Sequence, residues 1–304
     1  MMNSDRVSAP FAPFTITVPC STSNMAVGYD VLGMAMGLHS VFTFKPSERL
    51  SITGCPEQFC NKDNLVHRAY LHACAELGLD PIPYALEIRA QAPVARGLGS
   101  SSTCIVAGIM AAAAMAHRPI SRQETVRLAT QMEGHPDNAA PAVLGSLVCS
   151  FTPEDGNPVC IPLNVDPSLR FVTLIPDYEV KTHEARKAVP ETVSTETAVW
   201  QMGRCTAVAY ALQNADMEVL AAAVDDRLQE PYRKRLIPEY DEAKRISARH
   251  DAVMWISGSG STLMAAIKGD GAAQQLACAL RETWPAYTTM VLTCDAEGAS
   301  LSYE

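Results

Sequence analysis

The chain has 304 residues, which is enough to bury a large core and predicts two domains. Its formal net charge of −9 and pI near 5.3 argue against a nucleic-acid-binding surface, which needs a basic patch. The ten cysteines are scattered through apolar segments without a C-x-x-C pair or histidines at ligand spacing. We therefore predict free thiols in a reducing cytosol rather than disulfides or a zinc site.

The amino-terminal segment is polar and contains prolines, so it lacks the continuous apolar region of a signal peptide. The longest run of small apolar residues, 104–116, has 13 residues and is too short to cross a bilayer. We therefore predict a cytoplasmic protein without a membrane partner.

The hydrophobic pattern predicts an α+β protein in both halves of the chain. Runs with alternating or β-branched residues predict strands at 15–18, 40–44, 84–90, 144–151, 170–175, 252–256 and 290–294. Apolar residues at helical spacing predict helices at 64–77, 104–116, 122–133, 197–214, 217–224, 241–249 and 271–283. The segment 152–167 is rich in proline, aspartate and asparagine, and it predicts a linker between a domain at 1–165 and a domain at 166–304.

The segment 93–103, P-V-A-R-G-L-G-S-S-S-T, carries the strongest functional signal. A glycine turn that leads into a helix leaves backbone N–H groups free for an anion, and the serine hydroxyls can cap the helix, contact phosphate or bind Mg²⁺. It is not a Walker loop, because Ser100 stands where that loop has lysine, and it is not a dinucleotide fingerprint. The alternative is an ordinary capped helix. We favour binding of a nucleotide phosphate.

Three more motifs lie at 18–38 (V-P-C-S-T-S-N-M-A-V-G-Y-D-V-L-G-M-A-M-G-L), 133–145 (E-G-H-P-D-N-A-A-P-A-V-L-G) and 256–263 (I-S-G-S-G-S-T-L). With the phosphate loop, and in this order, they resemble the four motifs of the homoserine kinases in the GHMP kinase superfamily. The resemblance implies a two-domain fold, with an N-terminal ribosomal-S5-type domain and a C-terminal ferredoxin-like domain. It also implies ATP-dependent phosphorylation of the side-chain hydroxyl of L-homoserine, a step of threonine biosynthesis.

The resemblance implies where ATP and Mg²⁺ bind. The residues that it implies in ATP binding are Asn64, Pro93, Arg96, Gly97, Leu98, Gly99, Ser100, Ser101, Ser102 and Thr103. Asn64 matches the position that holds the adenine, although an asparagine before a helix is more often its N-cap. Ser100 and Glu133 match the Mg²⁺ ligands, and both are hard oxygen donors. The alternative for Glu133 is a solvated residue at a helix C-terminus, where the helix dipole disfavours negative charge.

The implied acceptor is a zwitterion, which needs a carboxylate for its ammonium group and guanidinium groups for its carboxylate. The matching substrate-binding residues are Asn24, Asp30, His135, Arg186 and Arg233. Asp30 is implied to face the ammonium group. Thr182 and Arg186 are implied to stabilise the charge that develops while the hydroxyl attacks the γ-phosphate directly, because no general base is identified. Asp137 and Asn138 follow Pro136 and are interpreted as a turn that positions the loop.

The motifs depart from the family pattern in loops beside this site. M-A-V-G stands at 25–28 where L-G-P-G is more usual, S-S-S-T stands at 100–103 for S-S-A-A, and Ser261 stands for proline. A related amino alcohol therefore stays open as the acceptor. A mevalonate-type or sugar-type kinase would not need Asp30 with two arginines, and a non-catalytic ligand sensor would be expected to lose the metal glutamate or the loop serines. The resemblance also makes a homodimer possible.

Overall fold

The computed structural model describes residues 11–303, which form eleven strands in two sheets and ten helices. The strands are β1 (Phe14–Ser23), β2 (Leu32–Pro46), β3 (Ser51–Thr53), β4 (Tyr84–Ala90), β5 (Leu147–Phe151), β6 (Val159–Leu163), β7 (Leu169–Ile175), β8 (Val253–Ile256), β9 (Leu263–Lys268), β10 (Thr288–Leu292) and β11 (Ser300–Tyr303). The helices are α1 (Leu65–Leu77), α2 (Ser100–Met115), α3 (Arg122–Glu133), α4 (Ala139–Leu144), α5 (Thr182–Lys187), α6 (Thr195–Asn214), α7 (Met217–Ala223), α8 (Glu230–Arg233), α9 (Tyr240–Arg249) and α10 (Asp270–Thr283). The first ten residues, on which the expectation of no signal peptide rests, lie outside the described part, as does Glu304. None of the helices between residues 11 and 303 combines the length and hydrophobicity that a membrane span requires.

The first sheet has seven strands in the order β11-β1-β2-β4-β3, with β5 and β6 continuing from one half of β2. β2 is long enough to serve two neighbours: residues 40–46 pair with β4, and residues 32–34 pair with β5. Helices α1 to α4 bury their apolar sides against this sheet. Gly108 of α2 lets α1 come close, since a Cβ there would lie 2.3 Å from the carbonyl oxygen of Val66.

The second sheet is antiparallel, in the order β10-β7-β9-β8. Strands and helices follow each other in the sequence β-α-β-β-α-β, which is the ferredoxin-like arrangement that the resemblance implies. Helices α9 and α10 cover one face of the sheet. On the other face, Phe171 and Trp255 share a core with Met34 of the first sheet and Leu212 of α6. The predicted two-part α+β fold is confirmed, and this shared core joins its two sheets.

Most predicted elements are present, and β4 and α3 begin and end where the sequence predicts. The linker prediction for 152–167 is wrong in part, because β6 lies inside it and forms a hairpin with β5. The domain division at 165 and 166 stays a prediction. The last strand, β11, lies in the second half of the chain but belongs to the first sheet, because it pairs with β1. All ten cysteines are free thiols, as predicted.

Candidate active site

A cavity of about 840 Å³ lies where the four sequence motifs meet. The predicted site residues that line it are Asn24, Asn64, Pro93, Gly97, Gly99, Ser100, Ser101, Thr103, Glu133, His135, Thr182, Arg186 and Arg233. The predicted residues that do not line it are Asp30, Arg96, Leu98 and Ser102. Asp30, Arg96 and Ser102 form hydrogen bonds to residues that do, whereas Leu98 is buried in the shared core. The fold thus brings distant parts of the chain to one place.

Hydrogen bonds join the four motifs to one another. The Ser21 hydroxyl donates to the Asn138 side chain at 2.9 Å, and the Asn138 amide donates to the Ser23 hydroxyl at 2.8 Å. The Ser257 hydroxyl donates to the carbonyl of Gly97 at 2.6 Å. The opening motif, the central motif, the phosphate loop and the C-terminal motif are therefore braced together, and Asn138 does more than form a turn.

The phosphate loop requires glycine at two positions. Gly97 has φ +75°, and a Cβ there would lie 2.2 Å from the carbonyl oxygen of Ser257. Gly99 has φ +64°, and a Cβ there would lie 2.1 Å from the Ser21 hydroxyl. Gly99 is also the N-cap of α2, so the first N–H groups of that helix have no intrahelical partner. Since Ser100 and Ser101 line the cavity, this helix end is an anion-binding cradle.

Arg96 is predicted to bind the nucleotide, but its guanidinium is occupied elsewhere. Nε donates to the carbonyl of Pro176 at 3.1 Å, and Nη2 donates to that of Asp177 at 2.6 Å. Nη1 donates to the carbonyls of Val94 and Ala95, inside the loop itself. Arg96 therefore ties the phosphate loop to the segment that precedes Thr182. Its side chain does not reach the cavity as a free cation.

Glu133 ends α3 beside the start of α2. Its Oε1 accepts hydrogen bonds from Ser102 at 2.6 Å and from Ser101 at 3.0 Å, whereas its buried Oε2 has no partner. Burial raises the pKa of Glu133, and the two hydroxyl donors oppose that shift. The alternative of a solvated residue is thereby excluded. The Ser100 hydroxyl lines the cavity and accepts from the N–H of Ala95 at 3.4 Å, and its role as the second Mg²⁺ ligand stays a prediction.

One part of the cavity wall is apolar. Its side chains come from β2, from the loop before α1, from α1 itself, from β4, from α2 and from α3, and they include Phe42, Phe59, Leu65, Ile88, Ile105 and Met132. Asn64 lies in this wall as the N-cap of α1: its Oδ1 accepts from the N–H of Val66 at 2.9 Å, and its amide donates to the carbonyl of Phe59 at 2.8 Å. The N-cap alternative is therefore what the structure contains, and the adenine contact of Asn64 stays a prediction.

The polar part of the wall contains an ion pair between two predicted substrate residues. Arg186 of α5 donates to both carboxylate oxygens of Asp30, at 2.8 and 3.0 Å. The Arg186 guanidinium also lies near Tyr29. Asn24 holds the Asp30 loop, because its Oδ1 accepts from the N–H of Asp30 at 2.9 Å. The group expected to bind ammonium and one of those expected to bind carboxylate are therefore paired with each other.

Arg233 is a buried cation, only 2% exposed. It donates to the carbonyl of Ala185, to the side chain of Gln229 and to the carbonyl of Gly258. Its guanidinium also lies 4.7 Å from the Tyr29 ring centre. Within residues 11–303 no carboxylate forms an ion pair with it, and burial lowers its pKa. A buried guanidinium without a counter-charge attracts an anion strongly.

His135 lines the cavity, and its Nδ1 is bonded to the carboxylate of Asp137, which is fully buried. Burial favours the neutral ring, but the bond to Asp137 and the charges of Asp137 and Glu133 outweigh it and raise the pKa of His135. Oδ2 of Asp137 has no hydrogen-bond partner. Asp30, His135 and Asp137 also bring one ligand atom each to within 4.8 Å of one another. This end of the site therefore combines unsatisfied negative and positive groups.

The sequence reading missed several groups that complete the site. Tyr29 places its ring beside both arginines, Gln229 holds Arg233, and Lys181 and Glu179 line the cavity. Tyr29 precedes Asp30 inside the opening motif, and Gln229 lies four residues before Arg233, so proximity to predicted site residues is the available signal. Lys181 precedes a short helix that has no distinctive pattern.

Comparisons with known proteins agree with this geometry. The family described as GHMP kinases N terminal domain matches residues 64–146, and the family described as GHMP kinases C terminal matches residues 208–286. A homoserine kinase of Clostridium beijerinckii is 35% identical over 256 residues, which cover 83% of this chain and 86% of that relative. A homoserine kinase of a Picosynechococcus species is 36% identical over 281 residues, covering 88% of this chain and 91% of the relative.

Solved structures give the same result for the fold. A crystal structure of homoserine kinase from Cytophaga hutchinsonii superposes with a TM-score of 0.84 at 25% identity, covering 96% of this chain and 98% of that one. A crystal structure of mevalonate kinase superposes with a TM-score of 0.71 at 15% identity, covering 93% of this chain and 99% of that one. The second likeness concerns the fold alone.

Proposed function

The chain belongs to the homoserine kinase family of the GHMP kinases, and from this premise we propose that it transfers the γ-phosphoryl group of ATP to the side-chain hydroxyl of L-homoserine. The product is O-phospho-L-homoserine, an intermediate of threonine biosynthesis. The proposal rests on the division of one cavity into three chemically different parts. An apolar wall, an anion-binding cradle and a cluster of opposite charges border the same space.

The apolar wall suits a nucleobase, and the cradle suits its phosphates. Phe42, Phe59 and Met132 offer the hydrophobic surface that a flat adenine ring needs. The N–H groups that begin α2, together with the positive end of its dipole, stabilise phosphate oxygens. Arg96 positions this cradle relative to Thr182 through the backbone of residues 176 and 177.

Glu133 fits a Mg²⁺ ion. Its Oε2 is buried without a hydrogen-bond partner, and a carboxylate oxygen in that situation is satisfied by a cation. The ion would be held by Glu133 and by a hydroxyl at the start of α2, of which Ser101 and Ser102 contact Glu133 and Ser100 lines the cavity. Bound there with ATP, it would neutralise charge on the phosphates.

The charge cluster suits a zwitterionic acceptor. Arg233 supplies an uncompensated guanidinium for the substrate carboxylate. Asp137 has a buried carboxylate oxygen without a hydrogen-bond partner and lies close to Asp30, so the two carboxylates together favour the ammonium group at this end of the site. As the substrate ammonium competes for Asp30, Arg186 is released to face the phosphoryl group. A neutral sugar offers neither charge to this cluster.

Phosphoryl transfer then depends on positioning and on charge stabilisation. The substrate carboxylate and ammonium fix the chain of the amino acid, so that its hydroxyl points from Arg233 and Asp30 toward the cradle. Arg186 and Thr182 stabilise the charge on the oxygens that the γ-phosphoryl group carries during transfer. The hydroxyl attacks in line with the leaving ADP and its proton passes to an oxygen of the transferred phosphoryl group, so no side chain is needed as a dedicated base.

A second acceptor class is a related amino alcohol, because the motif departures at 25–28 and at Ser261 border the acceptor loops. ADP release with Mg²⁺ATP against L-homoserine, D-homoserine, L-serine, mevalonate and galactose tests the proposal. Selective turnover of L-homoserine, with phosphohomoserine identified by mass spectrometry, is the expected result. Turnover of another acceptor would overturn the substrate assignment, and ATP binding without any turnover would favour a sensor. The cytoplasmic location and the homodimer stay predictions.

A further inference from the structure

Two cysteines touch each other in the wall of the apolar part of the cavity. Cys55 and Cys60 stand on either side of a 3-10 turn, Glu57–Phe59, and their Sγ atoms are 3.5 Å apart. Both are free and half-buried. Cys55 lines the cavity together with Pro56 and Phe59, whereas Cys60 does not. One thiol of the pair therefore borders the space that we assign to adenine, and the other lies just outside it.

Weak bonds through these sulfur atoms set the shape of the loop. The Cys60 thiol donates to the carbonyl of Cys55 at 3.4 Å. The Asn64 amide donates to the carbonyl of Phe59 at 2.8 Å and reaches Sγ of Cys55 at 3.9 Å. Because Asn64 also caps α1, it anchors the loop 54–60 on its C-terminal side. The rest of the loop is held by the hydrogen bonds of the two thiols. Drawing the two sulfur atoms together would therefore shift the part of the wall that carries Phe59.

We propose that Cys55 and Cys60 form a reversible disulfide that weakens ATP binding, which would make the kinase respond to the thiol–disulfide state of its surroundings. The inference rests on the proposed function, because it needs the nucleotide to occupy this wall. A disulfide bond is about 2.05 Å long, so the two sulfur atoms would approach by roughly 1.5 Å. The bond removes the Cys60 thiol proton and with it the hydrogen bond to Cys55.

The chemistry balances with a small disulfide such as oxidised glutathione as the oxidant. One cysteine thiolate attacks a glutathione sulfur, forms a mixed disulfide and expels the first glutathione thiolate. The second cysteine thiolate then attacks the protein sulfur of that mixed disulfide and expels the second. The two cysteines lose two electrons and two protons in total, and two molecules of reduced glutathione gain them. Reduced glutathione or dithiothreitol reverses both steps.

The surroundings of the pair make this exchange slow at neutral pH. Burial, followed by the hydrogen bond and charge of Cys60, raises the pKa of Cys55 to about 11. Since the thiolate is the nucleophile, the rate of cross-linking increases as the pH rises toward that value. Attack by the Cys55 thiolate is therefore slow at neutral pH and faster in alkaline solution.

The cross-link should change the affinity for the nucleotide and not the affinity for the acceptor. Asp30, Arg186 and Arg233 belong to other elements, and within residues 11–303 no hydrogen bond joins them to the loop 54–60. Oxidation therefore lowers the affinity for ATP and leaves the affinity for the acceptor unchanged. A general loss of structure would lower both.

The test uses the full chain, reduced with dithiothreitol or equilibrated with oxidised glutathione at pH 8.5 or so. Peptide mapping by mass spectrometry reports the cross-link, and calorimetry reports ATP binding independently of turnover. We expect a Cys55–Cys60 cross-link, a loss of ATP affinity of about fivefold or more, and full recovery on reduction. Cys60→Ser should bind ATP normally and be insensitive to the oxidant. Cys278→Ser, which removes an exposed thiol, should behave as the unmodified chain.

Two results would overturn the inference. One is a failure to detect the cross-link under conditions in which other thiols of the chain become glutathionylated. The other is a cross-link that forms without changing ATP affinity. A reduced chain that binds ATP but does not phosphorylate homoserine would contradict the proposed function instead, and the calorimetric comparison of reduced and oxidised chain would still decide the inference.

Discussion

Replacing Arg96 by methionine distinguishes two roles for this residue: direct contact with the nucleotide, and positioning of the phosphate loop. The sequence motif implies that Arg96 contacts the nucleotide, whereas its guanidinium is bonded to the carbonyls of Pro176 and Asp177. Methionine keeps most of the aliphatic stem and removes every donor. We expect Arg96→Met to loosen the loop from the segment before Thr182, and so to lower both stability and kcat.

The magnitude follows from the two bonds that cross between segments. A hydrogen bond from a charged donor is worth about 1.5–3 kcal/mol. The Arg96 side chain is 16% exposed, and its bond to Asp177 lies at the surface, so water replaces part of that value. We therefore expect a loss of about 2–3 kcal/mol in the free energy of unfolding. The ion pair with Glu179, at 3.5 Å with a partner 54% exposed, adds little. Displacing Thr182 from the cradle should lower kcat by about tenfold to a hundredfold.

The assay combines urea unfolding with steady-state kinetics at varied ATP and varied homoserine. Arg89→Met is the matched control, because the Arg89 side chain is 75% exposed and its one ion pair within residues 11–303 is with Glu87. The control should change the free energy of unfolding by less than about 1 kcal/mol and leave kcat unchanged. A variant at Arg96 with normal stability, normal kcat and a raised KM for ATP would refute the positioning role and restore the direct contact.

Three further predictions address the metal ligand, the loop and a buried acid. Glu133→Gln should lower kcat/KM by about a hundredfold or more and raise the Mg²⁺ concentration for half-maximal rate. This variant should unfold no more easily than the unmodified chain, because the substitution removes a buried charge. Gly97→Ala should cost more stability in urea unfolding than Gly78→Ala, since both have positive φ but only the first places a Cβ 2.2 Å from the Ser257 oxygen; equal losses would contradict the packing argument. Burial raises the pKa of Glu230 from 4.5 to about 7. Relative to Glu230→Gln, the free energy of unfolding of the unmodified chain should therefore fall by about 3 kcal/mol as the pH rises from 4.5 to above 7. Parallel pH profiles of stability for the two chains would contradict that value.

The sequence predicts those parts of the fold that local patterns encode. α3 has its N-cap serine and a regular apolar face, and β4 alternates buried and half-buried residues over its first five positions, so both have the predicted bounds. The sequence predicts a linker where β6 lies, because proline and polar residues surround this strand, and its pairing with β5 joins segments that carry no regular local pattern. β11 is short and polar and exists because β1 pairs with it across most of the chain. Such non-local pairing leaves no periodic signal.

The same contrast between local patterns and non-local contacts applies to the site. The resemblance identifies thirteen of the residues that line the cavity, and nine of them lie within the four motifs, where glycines and hydroxyls stand close together in sequence. What the motifs do not encode is which group each side chain meets. Arg186 and Asp30 are 156 positions apart, and Arg96 reaches a carbonyl 80 positions away. Charges that are assigned to substrate or nucleotide from a motif are therefore found bonded to protein groups when the chain is folded.

The most direct test of the account compares kcat/KM for L-homoserine with that for two analogues of similar length. γ-Hydroxybutyrate lacks the ammonium group, and propanolamine lacks the carboxylate. If Arg233, Asp30 and Asp137 recognise a zwitterion, each analogue should lose at least about a hundredfold, because each leaves a buried charge of the protein unpaired. Equal kcat/KM values for all three alcohols would contradict the assignment of this charge cluster to the acceptor.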